Sequence, residues 1–268
     1  MIFLYYVYNI YKMSRELTQL YPIQNILKYE FYLDIWGVLH YMYENNIIIT
    51  GSVITYSIHQ WEHFDSDLDL WVPPCDYDKK YSLHLLLNSN GYLLSNTDYS
   101  NSNDNTEFSK NFEMVSHYYK CYSHGFYKKI DVVYTKIDPE EILKNSDITL
   151  NMNFAKVINV NNRLNIEINS LNETAKMDLI NRKLNLNPTQ IENIFLNQYE
   201  ATKKKQRFDK YNHRGFEADP VMKDTYYELL DKFISGDNVK SENNLGLSQE
   251  TIELIRELSS YANRQINI

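Results

Sequence analysis

Cysteine is nearly absent from this chain, with Cys75 and Cys121 the two present. They are too few for a disulfide framework and make no CxxC pair. That excludes a disulfide-stapled secreted module and points to a reducing, intracellular and cytoplasmic setting. Glycine and proline are also scarce, at seven and six in 268 residues, which argues against long flexible linkers. Long apolar runs are missing as well. The opening Met1-Ile2-Phe3-Leu4-Tyr5-Tyr6-Val7-Tyr8 is apolar but too short to span a bilayer. It has no basic leader and no small-residue cleavage site, so it makes a poor signal peptide. Met13 offers a second start, ahead of Ser14-Arg15-Glu16. Positive charge is in deficit: 27 Lys and Arg face 35 Asp and Glu, a net of −8. Proteins that grip duplex DNA by its phosphates carry a basic face. No strong duplex DNA binding is therefore expected. A small nucleotide, a short RNA or a protein substrate suits the charge better.

What the chain does have is bulk for a core, with 43 % hydrophobic residues. Its length suits one large domain or two small ones. Tyrosine is abundant, at 24, alongside Asn, Ile and Lys. These residues have AT-rich codons, which suggests the genome of a large DNA virus or a protist. The same bias empties tyrosine clusters of much functional meaning.

Hydrophobic periodicity predicts a helix over 23–44, a strand over 47–50 and a helix over 52–63. A strand follows over 67–73, ended by Pro73-Pro74, and a helix over 76–90 stops at Gly91. Residues 96–106 are polar and are expected to form a loop. Runs at 112–121 and 126–135 read as a hairpin turning at His124-Gly125. A short helix begins at Pro139. Residues 148–168 alternate weakly about a turn at Asn161-Asn162. Beyond residue 170 the period is helical, with Pro188 opening a helix that ends at Gly215 and further helices near 220–235 and 248–264. The expected organisation is a tail over 1–22, an α/β domain over 23–168 and a helical region over 169–268.

The chemistry lies in two short segments. Ile47-Ile48-Ile49-Thr50-Gly51-Ser52 is an apolar strand ending in a Gly-Ser turn. Ser66-Asp67-Leu68-Asp69-Leu70-Trp71-Val72 is a second strand with alternating carboxylates. Residues two apart on a strand share a face. Asp67 and Asp69 thus project together, about 7 Å apart along the strand. Such a pair suits a hard cation like Mg²⁺, which takes oxygen ligands and substrate phosphates. Asp65 is in phase with them but precedes the apolar frame, and reads as a turn residue.

This arrangement resembles the nucleotidyltransferase superfamily of DNA polymerase β, the CCA-adding enzymes and the poly(A) polymerases. Its signature is an apolar residue, Gly, Gly or Ser, a spacer, Asp-x-Asp on an apolar strand, and a third acid on a later strand. Thr50 departs from the apolar position. Asp131, in Lys128-Lys129-Ile130-Asp131-Val132-Val133-Tyr134, supplies the third acid. The resemblance covers about residues 46–135. It implies an α/β fold with a small mixed sheet and a helical C-terminal region. It further implies that Asp67, Asp69 and Asp131 bind Mg²⁺ or Mn²⁺ and carry catalysis. Gly51 and Ser52 would then meet a phosphate of the nucleoside triphosphate. Beside the resemblance, one of Lys128 and Lys129, with Lys129 the candidate, could neutralise triphosphate charge or simply lie on the solvent side. Arg207 of the basic cluster is a further candidate nucleotide contact. The implied reaction moves a nucleoside monophosphate from an NTP to a hydroxyl, with loss of pyrophosphate. The acceptor is open: a protein side chain, an RNA 3′ end or a small molecule. A catalytically silent nucleotide-binding or interaction protein on the same fold is the alternative.

Two other patterns compete. His59-Gln60-Trp61-Glu62-His63 fits H-x-x-E-H, the inverted motif of zinc peptidases, if one helix carries both histidines. A surface helix end is the plainer reading. Lys203-Lys204-Lys205-Gln206-Arg207 begins the one basic cluster. It suits either a phosphate or RNA contact or a solvated helix end.

Overall fold

The computed structural model describes residues 22–60, 64–99, 110–122, 126–187, 190, 198–235 and 249–266, with side chains to 260. The expectations about the N-terminal tail, the His124-Gly125 turn and the helix start at Pro188 lie outside the described residues.

The protein is mixed α/β. The first turn, α1 (Ile23–Asn25), runs into a π-helical stretch over Ile26–Glu30, and α2 follows over Ile35–Glu44. The single helix expected over 23–44 is thus broken. Tyr32 at the break has left-handed backbone (φ 51°), which cannot continue a right-handed helix. Next come β1 (Ile48–Thr50), α3 (Ser52–His59), β2 (Leu68–Val72) and α4 (Tyr77–Ser89). Asp76 caps α4, its side chain accepting from the Lys79 amide at 2.9 Å. Gly91, at φ 84°, lets the chain leave α4 as expected.

The sheet continues with β3 (Leu93–Tyr99), β4 (Phe112–Cys121) and β5 (Tyr127–Thr135), and ends with β6 (Asn153–Val160) and β7 (Arg163–Ser170). Its seven strands run in the order β3-β4-β5-β2-β1-β6-β7. It is mixed: β2 and β5 are parallel, while β1–β2, β1–β6, β3–β4 and β4–β5 are antiparallel. β3 corrects the loop expected from residue 96. Its sequence is polar because it lies at the sheet edge, where nearly every side chain is exposed, so apolar alternation had no core to face. The turn at Asn161-Asn162 is as expected. Both residues take positive φ, the geometry of a two-residue hairpin.

On the central strands alternate residues take opposite faces. Leu68, Leu70, Val72, Ile130, Val132 and Tyr134 share one face and are all buried. Asp69, Trp71, Lys129, Asp131 and Val133 take the other face. One face is buried along its length; the other carries Asp69 and Asp131 and is itself buried at Trp71 and Val133.

The chain forms two compact units. One comprises residues 1–139 with 154–168, the other residues 140–153 with 169–268. The segment 140–153, expected within the α/β domain, thus groups with the helical unit. That unit contains most of α5 (Pro139–Leu143), a 3₁₀ turn over Thr149–Met152, α6 (Glu173–Ile180), α7 (Gln198–His213), α8 (Pro220–Ser235) and α9 (Gln249–Ile266). Its core includes Phe208, Tyr211, Phe216, Tyr226, Leu229 and Leu230. Gly215, at φ 81°, ends α7, and the Phe216 amide returns to the Tyr211 carbonyl at 3.1 Å. No helix among the described residues is long and apolar enough to cross a membrane.

Candidate active site

The acids meet in the middle of the first unit's sheet. Asp69 on β2 is the register partner of Asp131 on β5, across a parallel pair. Residues 69 and 131 therefore stand side by side on one face, about one strand spacing apart. On the other side of β2, Asp69 pairs with Thr50, the last residue of β1. Thr50 is followed by Gly51, whose backbone has φ 76° and ψ −153°. A Cβ at Gly51 would run into Oδ2 of Asp69. Only a residue without Cβ allows the turn to close over this carboxylate. Ser52 then opens α3. It is buried, at 4 % exposure.

Asp67 lies just ahead of β2 and is half-exposed. Lys129 links it to Asp131: Nζ donates to Oδ2 of Asp131 at 2.7 Å and to Oδ2 of Asp67 at 3.4 Å. Burial alone would lower the affinity of this ammonium for its proton. The Asp131 and Asp67 carboxylates outweigh burial and hold its pKa above the ordinary lysine value. Asp131 keeps 15 % of its side chain exposed. Its other oxygen, Oδ1, faces Nδ1 of His117 at 2.7 Å. Nε2 of His117 faces Oδ2 of Asp98 at 3.1 Å, and Asn96 Nδ2 donates to Oδ1 of Asp98 at 3.1 Å. A polar line thus crosses four neighbouring strands, from Asp98 through His117 and Asp131 to Asp69.

The donor set is all oxygen apart from His117, which suits a hard divalent cation. The Lys129 ammonium already bridges two of the carboxylates, so a positive charge is accommodated between them. As they stand, no three His, Cys, Asp or Glu side chains among the described residues form a group that could hold a metal ion. A divalent cation would have to displace Lys129 from the acids.

Arg207 belongs to the other unit and is already engaged. Its Nη1 donates to both oxygens of Asp147, at 2.8 and 3.0 Å, and Lys204 stands 3.4 Å from the same carboxylate. Lys205 pairs with Asp231 at 2.6 Å, and Lys203 lies over the Tyr199 ring. Much of the basic cluster is therefore occupied by partners within its own unit.

The zinc-peptidase pattern needs one helix through both histidines. α3 ends at His59, and Gln60 takes left-handed backbone (φ 45°), so the helix expected over 52–63 stops short. Glu62 and His63 lie outside the described residues.

His117 and Asp98 escaped the reading of the sequence. His117 sat unremarked within an expected strand. The hairpin register that pairs Cys121 with Tyr127 carries through to His117 and Asp131, and this register was the available signal. Asp98 fell in the segment expected to be a loop.

No protein-family model matches the sequence, and no curated protein matches it either. Among solved structures, the chain is similar to a CCA-adding enzyme in complex with CTP, at 11 % identity and a TM-score of 0.46. The match covers 91 % of this chain and 54 % of that one, so the chain spans about half the length of that enzyme.

Proposed function

We propose that this protein is a Mg²⁺-dependent nucleotidyltransferase that moves a nucleoside monophosphate from an NTP to a hydroxyl acceptor. The observation that carries this reading is the side-by-side placement of Asp69 and Asp131, with the Gly51 turn closed over Asp69. Asp67, Asp69 and Asp131 would hold the metal. A Mg²⁺ held there would supply positive charge to offset that of the triphosphate and Lewis acidity for the transfer. Asp131 takes the proton of the acceptor hydroxyl as its oxygen bonds to the α-phosphorus. The bond from that phosphorus to the bridging oxygen breaks, and pyrophosphate leaves with the bond's electrons. The amides at the start of α3 face the triphosphate, since a helix N-terminus favours anions. Lys129, displaced from the acids, pairs with the phosphates.

A second reading is a nucleotide-binding protein without transfer activity. It is favoured by Lys129, which ties up Asp131 and Asp67. One experiment separates the two. The protein is incubated with each α-labelled NTP and Mg²⁺ or Mn²⁺, and label is sought in protein, RNA and small-molecule fractions. Transferred label with release of pyrophosphate supports the enzyme. Saturable nucleotide binding with no transfer into any fraction supports the silent protein.

A further inference from the structure

We infer that His117 is the positioning residue for Asp131 and that Asp98 holds His117 to that task. The inference rests on the reading of the acids as a metal-dependent transfer site. His117 and Asp131 are direct cross-strand partners on β4 and β5. Both oxygens of Asp131 are engaged, Oδ2 by Lys129 and Oδ1 by His117. These two contacts differ in kind. Lys129 is a mobile point charge on a four-carbon stem, and it is shared with Asp67. Metal or triphosphate can draw it away. The His117 ring is short, stands on a central strand and keeps 17 % of its side chain exposed. It stays with Asp131 when Lys129 leaves. On its far side Asp98 fixes the ring, and Asn96 fixes Asp98. An acid that must offer an oxygen to a metal in one orientation needs such a support, and losing outer partners of metal ligands typically weakens binding about 10–100-fold.

The two ring nitrogens allow a selective test. An asparagine at 117 places an amide nitrogen near the position of Nδ1, which serves Asp131. A glutamine places one near Nε2, which serves Asp98. Mn²⁺ binding is measured directly by calorimetry or by electron spin resonance, without nucleotide or acceptor. His117→Ala and His117→Gln should weaken Mn²⁺ binding by about 10–100-fold, while His117→Asn, which keeps the nitrogen facing Asp131 and loses only the one facing Asp98, should weaken it least. In an Asp131→Asn background, His117→Ala should change Mn²⁺ affinity no further. Melting temperatures identify any variant that fails to fold, and the Asn and Gln pair keeps the test alive if the alanine variant does. Equal Mn²⁺ affinity in the Asn and Gln variants would overturn the inference, as would a His117→Ala effect that persists undiminished without the Asp131 carboxylate. A wild-type protein that binds no Mn²⁺ overturns the transfer reading and this inference together. Binding in the wild type with no loss in the Gln and Ala variants overturns this inference alone.

Discussion

Asp147 in the helical unit and Asp131 in the sheet unit each face two basic side chains, but their settings differ. Asp147 is 7 % exposed and held by the Arg207 guanidinium through both oxygens, with Lys204 beside it. Burial pushes its carboxyl up, yet Arg207 and Lys204 outweigh burial and hold it well below the usual carboxylate range. Asp131 is twice as exposed and sits beside other acids. Its lysine is shared, and its histidine is anchored from behind. A buried carboxylate closed over by a guanidinium that reaches both its oxygens is a fixed part of the fold. One in an open row of acids, with a lysine shared between two of them, would on the proposed function exchange that lysine for a ligand. Both clusters combine acid with base, so charge pattern alone does not tell structure from function. Burial and the rigidity of the partner do.

The comparison breaks most visibly at Asp69. Asp69→Asn should lower nucleotidyl transfer by more than about 100-fold, beyond the loss of an outer-shell partner, with an unchanged melting curve. Undiminished transfer in the folded variant would remove the acids from the chemistry.

Arg207→Gln should act in the opposite sense, on stability first. It strands a buried carboxylate, which typically destabilises by about 3–5 kcal/mol, and urea denaturation measures the loss. If stability holds while nucleotide affinity falls, Arg207 is a ligand contact after all. The same pair sets an acid limb. Because folding depresses the Asp147 pKa, its contribution is fully present above the unfolded value of about 3.9 and is lost as pH falls through that value toward the folded one. Asp147→Asn should flatten the stability profile below about pH 4, and denaturation at several pH values checks this.

Gly51→Ala should fall between the two clusters in kind. It forces a Cβ into left-handed backbone and against Asp69, a strain of about 1–3 kcal/mol. It should lower both the melting temperature and transfer. A neutral effect would show that the turn stands clear of the carboxylate.

Asp65→Ala should do least. Asp65 is exposed and lies ahead of β2, and such a surface change usually shifts stability by less than about 0.5 kcal/mol. Activity close to wild type would separate it from Asp67. Loss of transfer would mean that the acidic pair begins two residues earlier.

Much of this was legible in the chain. The β-branched strand, the Gly51 turn and the apolar frame around Asp69 and Asp131 are local patterns, and local sterics and alternation fix them wherever the strand sits. Gly91 and Gly215 marked helix ends for the same reason. The break at Tyr32 and the end of α3 at His59 were not legible, because apolar spacing continues past both while the backbone does not. β3 was missed because an edge strand need not alternate.

The sequence by itself determined which residues could carry chemistry: acids two apart on an apolar strand, and a glycine where a turn must close. Only the tertiary structure decided that Asp69 stands beside Asp131, that Asp98 reaches His117, and that Arg207 is committed to Asp147. Those are contacts between distant segments. The first two depend on strand order and register, which the packing of the sheet sets, and the third on how the helical unit packs around Asp147.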